Sequence, residues 1–183
     1  MTVQIRQSVP SDNASIAQLH LEAFGPGEGP EIAALIGDLF NDHSARPLFS
    51  FVAVNNKKIL GHILFTRAVI VEAPEEVSVQ ILAPLAVLPT QQSTGIGSRL
   101  IEHGLGELRK AGVDLVFVLG HPGYYPRTGF EPALPLGLTA PYPIPAKNAD
   151  AWMVQALRGS LIGRVLGRVQ CSNALNEPQL WRE

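Results

Sequence analysis

A single cysteine, Cys171, stands in 183 residues. It has no mate for an internal disulfide, and without a second thiol there is no Cys-x-x-Cys pair and no thiol-rich zinc site. A reducing, cytoplasmic compartment is the expectation. A basic excess is also missing: 14 Lys+Arg against 16 Asp+Glu leave a formal net charge of −2. No general affinity for nucleic acid or anionic membrane follows from such a balance. No apolar run reaches the roughly 18 residues of a membrane span, and the opening MTVQIRQSVPSDN has no signal-peptide core. There is no Gly-Lys-Ser/Thr ending of a P-loop and no Gly-x-Ser-x-Gly nucleophile elbow. His20, His62 and His103 lie far apart without paired spacing, which argues against a metal site. What remains is a chain 46% hydrophobic and 16% charged, long enough to build one domain with a real core and too apolar to be disordered.

Residues 2–7 alternate Val3 and Ile5 with polar neighbours, as a short strand does. Pro10-Ser11-Asp12 reads as a turn and helix N-cap. Ile16, Leu19, Ala23 and Phe24 follow at helical spacing until Gly25-Pro26-Gly27 stops the helix, and a second helix is predicted from Pro30 through Leu39. Residues 49–54 and 59–71 are rich in branched and aromatic side chains and read as a hairpin turning at Asn55-Asn56. Another strand spans 78–88, where Pro84 marks an edge, a bulge or a splayed region because it lacks a ladder donor. An amphipathic helix from Gly95 to about Ala111 and a continuous apolar strand at 115–119 come next. Pro132, Pro135, Pro141, Pro143 and Pro145 make 131–147 a long loop, and 152–157 and 164–170 read as closing strands. The mixed order predicts an α/β (α+β) sandwich in a single domain over 1–183, with a core over 1–133 and the Pro-rich loop and closing strands over 134–183.

Chemistry concentrates in Leu85-Ala86-Val87-Leu88-Pro89-Thr90-Gln91-Gln92-Ser93-Thr94-Gly95-Ile96-Gly97-Ser98. This is strand, short loop, then helix, with two glycines at the helix entrance. The first-turn N–H groups there have no internal partner and sit at the positive end of the helix dipole. Glycine lets a ligand approach them, so a phosphate or diphosphate fits without a lysine, and Thr94 and Ser98 add hydroxyls. The bland alternative is that Gly95 and Gly97 serve only a tight turn and close packing. A dinucleotide fingerprint is disfavoured, because Leu100 stands where its third glycine belongs.

Gln92-x-x-Gly95-x-Gly97 resembles the acyl-CoA signature of the GNAT N-acetyltransferase superfamily, Q/R-x-x-G-x-G/A. The strand ending Ala86-Val87-x-Pro89 precedes it, and Tyr124-Tyr125-Pro126-Arg127-Thr128-Gly129-Phe130 looks like the family's Tyr-x-x-x-Gly-Phe. Leu119-Gly120-His121-Pro122-x-Tyr124-Tyr125 and the Pro-rich loop further resemble the YhbS-like bacterial branch. The resemblance implies a mixed, splayed central sheet flanked by helices, with acetyl-CoA as co-substrate wedged between the strands ending near Val87 and Leu119. It implies pantetheine pairing along Leu85, Ala86 and Val87, with a strand N–H polarising the thioester carbonyl. Gln92, Ser93, Thr94, Gly95, Ile96, Gly97 and Ser98 would form the diphosphate loop. Tyr125 would be the general acid for the departing thiolate, with Tyr124 as the alternative because Pro126 holds Tyr125 extended. Ser93 and Thr94 depart from the family's frequent glycine and basic residue at those positions.

His121 is a candidate base, and Glu28, Glu31 and Glu131 are further candidates. Each has an ordinary structural alternative: His121 orienting a loop, Tyr125 packing on Phe130, the carboxylates serving helix ends or solvent. His103 reads as solvated on the polar side of its helix. Trp152, Met153 and Trp181 read as core or subunit contact, and Cys171 as a buried small apolar residue. The resemblance thus implies transfer of an acetyl group to a primary amine, of a small molecule rather than a protein, by direct attack in a ternary complex. Use of longer acyl-CoA or an acyl carrier protein, and a non-catalytic CoA-binding sensor, stay open, as does a homodimer.

Overall fold

The computed structural model describes residues 2–74 and 76–182. Its frame is a sheet ordered β1-β2-β3-β4-β5-β8-β6. Here β1 is Gln4–Gln7, β2 Phe49–Asn55, β3 Lys58–Ile70, β4 Val79–Val87, β5 Leu115–Leu119, β6 Glu131–Pro132 and β8 Trp152–Ala156. Two more strands, β7 (Leu138–Thr139) and β9 (Gly167–Gln170), pair with each other, and β9 also pairs with β3 at Val69 and Ile70. The helices are α1 (Asn13–Asn41) and α2 (Ile96–Lys110). β1 to β4 run antiparallel in succession, α2 crosses over, and β5 returns parallel to β4. This is the mixed α/β architecture the element order predicts.

Strand alternation sends the residues of β3 to two helical layers. A side chain at Gly61 would meet Leu100 and Ile96 of α2, and one at Gly104 of α2 would run into the ring of Phe65. Gly61 and Phe65 therefore face α2 at close approach, while His62 faces α1 and touches His20 and Phe40. Buried Leu100, Ile101, Leu105 and Leu108 form the apolar face of α2. His103, read as solvated, is half-buried with its ring edge-on to Phe51 at 5.0 Å.

Several boundaries differ from the sequence expectations for local reasons. The first helix does break at Gly25 (φ 73°, ψ −175°), but the chain re-enters helix at once instead of at Pro30. Pro26 is preset for a first helical position, so a single glycine suffices for the corner. Asp12 does not cap α1 with its side chain; its carboxylate accepts the Val9 N–H at 2.8 Å and pairs with the Arg6 guanidinium at 2.7 Å. The hairpin turns at Asn56 and Lys57 (φ 47° and 67°), one residue later than expected, because Asn55 is still paired with Lys58. The Pro-rich loop contains the two-residue strands β6 and β7, and the last strand starts at Gly167. Trp152 and Trp181 are core: Trp152 stacks on Phe117 at 5.0 Å and meets Trp181 edge-on at 5.6 Å. Met153 is equally buried.

A buried polar chain lies under α1. The Ser8 hydroxyl meets that of Ser50 at 2.6 Å, Ser50 meets His62 Nε2 at 2.9 Å, and His62 Nδ1 meets His20 Nε2 at 2.9 Å. His20 Nδ1 ends the chain without a partner among the described residues. Burial pushes His20 down to about 3 and His62 well below the ordinary histidine range. Both are neutral when folded, but protonate below about pH 6.5 once unfolded, so the unfolded chain binds more protons. Stability is therefore expected to fall as pH drops below about 6.5, by at most about 1.4 kcal/mol per pH unit for each histidine. Urea unfolding between pH 7 and 4.5 checks this, and the double variant His20→Gln, His62→Gln should show a flatter slope.

Candidate active site

The site begins where the pairing of β4 and β5 ends. Their parallel register runs from Val79↔Leu115 to Leu82↔Val118 and goes no further, although β4 continues to Val87. On its other side β4 stays paired with β3, but with a bulge: Ile63↔Leu85 and Phe65↔Leu82 leave one β3 residue opposite Ala83 and Pro84. The extra residue bends β4, and a bulge is a usual place for a strand to turn from its neighbour. The Pro84 reading as bulge and splay thus describes one place. Past it, Leu85 and Val87 line a cavity of about 600 Å³.

The opposite wall is the entrance to α2. Gln91, Gln92, Ser93, Gly95, Ile96, Gly97 and Ser98 line the same cavity. Gln92 ties its loop back to the strand by donating from Nε2 to the Val87 carbonyl at 3.2 Å. Gly95 caps α2 in a left-handed conformation (φ 89°) with no side chain capping the helix N–H groups, which are left for a ligand. Gly97 packs so tightly on the Tyr124 hydroxyl that a Cβ there would collide with it. Thr94 spends its hydroxyl on the Gln91 carbonyl at 2.6 Å and is absent from the wall. Ala86 is absent too, since alternation turns it from Leu85 and Val87 toward the layer of His62, its register partner.

Tyr124 and Tyr125 occupy different places. Tyr124 lines the cavity. Tyr125 lies over Gly120, edge-on to Phe130 at 5.8 Å and to Tyr124 at 5.2 Å, and burial pushes its phenol well above the usual tyrosine range. Sequence reasoning missed Arg127, which also lines the cavity. Its guanidinium carbon sits 4.5 Å from the centre of the Tyr124 ring, and Nε donates to the Tyr124 carbonyl at 3.0 Å. The signal was present in the Tyr-x-x-x-Gly-Phe segment but was read only for its aromatics.

The candidate bases lie elsewhere. His121 is exposed and lines a separate 290 Å³ cavity with Lys147, Asn148 and Asp150. Its Nδ1 accepts the Gly123 N–H at 3.0 Å, so in the neutral ring the lone pair a base would use is engaged. Glu28, Glu31 and Glu131 are exposed. A larger groove of about 1100 Å³ by the β2–β3 turn holds the Arg6–Asp12 pair, whose charges already cancel. Cys171 is half-buried, with its thiol pushed up to about 11, which keeps it protonated and inert. No group of His, Cys, Asp and Glu among the described residues has a metal-binding arrangement, and none of the described helices is long and apolar enough to cross a membrane.

Residues 4–133 match the family described as Acetyltransferase (GNAT) domain. The chain belongs to that family. It is 43% identical to the uncharacterized N-acetyltransferase YjhQ of Escherichia coli K12 over 164 residues, 89% of this chain and 88% of that protein. The crystal structure of the GNAT protein YhbS from Escherichia coli in complex with CoA superposes with a TM-score of 0.85 at 27% identity, covering 96% of this chain and 92% of that one. A Brucella melitensis GNAT acetyltransferase in complex with acetyl-CoA gives 0.74 at 29% identity, covering 95% and 98%. The protein is thus a GNAT acyltransferase.

Ser93 is held at φ 62°, a left-handed conformation that disfavours side chains. Ser93→Gly is expected to leave stability unchanged or raise it by up to about 1 kcal/mol, and Ser93→Val to lower it by about 1–2 kcal/mol. Urea denaturation of the two variants beside the parent chain checks both signs.

Proposed function

We infer that the protein transfers the acetyl group of acetyl-CoA to a primary amine of a small molecule, by direct attack in a ternary complex. One observation carries the reading: a cavity that joins the unpaired edge of β4 at Leu85 and Val87 to the free N–H groups at the start of α2. An extended pantetheine arm needs backbone donors and acceptors along its length, and a diphosphate needs amides converging on its oxygens. The CoA and acetyl-CoA bound to the two structural relatives support the same assignment.

In this reading the neutral amine nitrogen attacks the thioester carbonyl, a C–N bond forms and the C–S bond breaks; the nitrogen releases its proton to water, the thiolate takes one from a tyrosine phenol, and water reprotonates the phenolate. Tyr124 is that tyrosine, because it is the one that lines the cavity. Tyr125 is a poor donor, since a phenol whose acidity is suppressed by burial yields its proton less readily to a thiolate. Its place over Gly120 makes it a packing residue.

Calorimetric titration with acetyl-CoA, CoA and NADH tests the donor site. Binding of the two CoA species but not NADH is expected, and Gly97→Trp should abolish it by displacing Tyr124 and filling the cavity. No binding by a folded sample would sink the reading. For the chemistry, Tyr124→Phe is expected to lower kcat at least tenfold with a smaller change in KM. Tyr125→Phe should leave kcat within a fewfold; the reverse order would move the acid to Tyr125. Acetyl-CoA binding without turnover across an amine screen would replace the enzyme by a sensor.

A further inference from the structure

The strand end and glycine-rich loop leading into α2, residues 85–98, contain no basic residue; Ser93 and Thr94 stand before Gly95. Thr94 does not compensate, because its hydroxyl is bonded to Gln91. Yet the cavity is not without a cation. Arg127 reaches its wall from the segment after β5, thirty residues along the chain from Gly97.

Three features of Arg127 set it apart from an ordinary surface arginine. Its guanidinium lies on the face of the Tyr124 ring, and Nε is fixed by the Tyr124 carbonyl, so the side chain is preorganised. None of its nitrogens meets a carboxylate among the described residues, where the ion pairs are Arg6–Asp12 and Lys110–Glu107. Finally, no acidic side chain lines the cavity it faces. A fixed, unneutralised guanidinium therefore lines the same cavity as the uncapped N-terminus of a 15-residue helix. Both project positive charge into the same space, and a planar guanidinium fork with free N–H donors matches the oxygens of a phosphate.

We propose that Arg127, shelved on Tyr124, is the phosphate-binding cation of this protein and supplies the charge that the glycine-rich loop lacks. The inference rests on the CoA reading of the cavity. It also links two functions. The ring that supports Arg127 belongs to the tyrosine assigned as proton donor, so a phosphate gripped by Arg127 fixes the position of the Tyr124 phenol. Binding energy from a part of the donor remote from the thioester is thereby used to orient the catalytic group.

The test is binding of CoA, 3′-dephospho-CoA and S-acetylpantetheine to the parent protein, Arg127→Gln and Arg127→Lys, at low and raised salt. Arg127 is exposed, so both variants are expected to keep the fold, which thermal unfolding verifies. Arg127→Gln should weaken CoA at least tenfold and flatten its salt dependence, with Arg127→Lys in between. S-acetylpantetheine, which has no phosphate, should bind the parent and both variants equally. Weakening that persists with 3′-dephospho-CoA places Arg127 on the diphosphate; weakening that disappears places it on the 3′-phosphate. Either supports the proposal. Equal affinity of the parent and Arg127→Gln for CoA overturns it while leaving the CoA site intact. Failure of the parent itself to bind CoA overturns the function and this inference together.

Discussion

The candidate site depends on one limit in the sheet: β4 and β5 stay paired only as far as Leu82 and Val118. An unpaired strand edge is costly unless something satisfies it. Here the bulge at Ala83 and Pro84 turns the strand away, and β3 keeps the other side of β4 in register through Leu85 and Val87. The end of β4 is thus left without a strand partner on this side, and of its backbone groups the Val87 carbonyl is taken by Gln92 Nε2. α2 crosses over from the end of β4 to the start of β5, so its entrance necessarily lies beside the parted edge. Strand edge and helix dipole meet because one short loop joins them.

Rigidity around that opening comes from close approach. Gly61 and Gly104 let α2 settle on β3, and Gly97 lets the Tyr124 hydroxyl settle on α2. The loop after β5 is held in turn by the edge-on aromatic series Tyr124, Tyr125 and Phe130. Tyr125 is the half-buried middle of that series, while its neighbour Tyr124 lines the cavity. The opposite helical layer is held by the His20–His62 chain, where polar groups replace apolar packing at the centre of the fold.

How much of this was legible in the sequence follows the range of each interaction. The apolar run of β5, the amphipathic α2 and its glycine entrance are local patterns, and their positions in the structure match them. The hairpin turn was displaced by one residue, since Asn55 and Asn56 suit a left-handed backbone equally and only cross-strand register separates them. Which of the adjacent tyrosines faces the cavity was undecidable from spacing, because a short 3-10 turn begins at Tyr125 and breaks any periodicity there. The histidine pair was invisible for a stronger reason. It gains its meaning from a meeting made by the fold, His62 with His20, 42 positions apart. Composition and periodicity carry no information about such meetings.

The family match ends at residue 133, but the physical core does not. Trp152 stacks on Phe117 of β5, β9 pairs with the end of β3, and the Asp42 and Ser44 side chains at the end of α1 accept the N–H groups of Ala174 and Asn173. The last fifty residues therefore complete the sheet's second face instead of trailing from it. The unit matched across the family and the unit that packs around one core have different borders, and a chain cut at the first would expose the hydrophobic interior of the second.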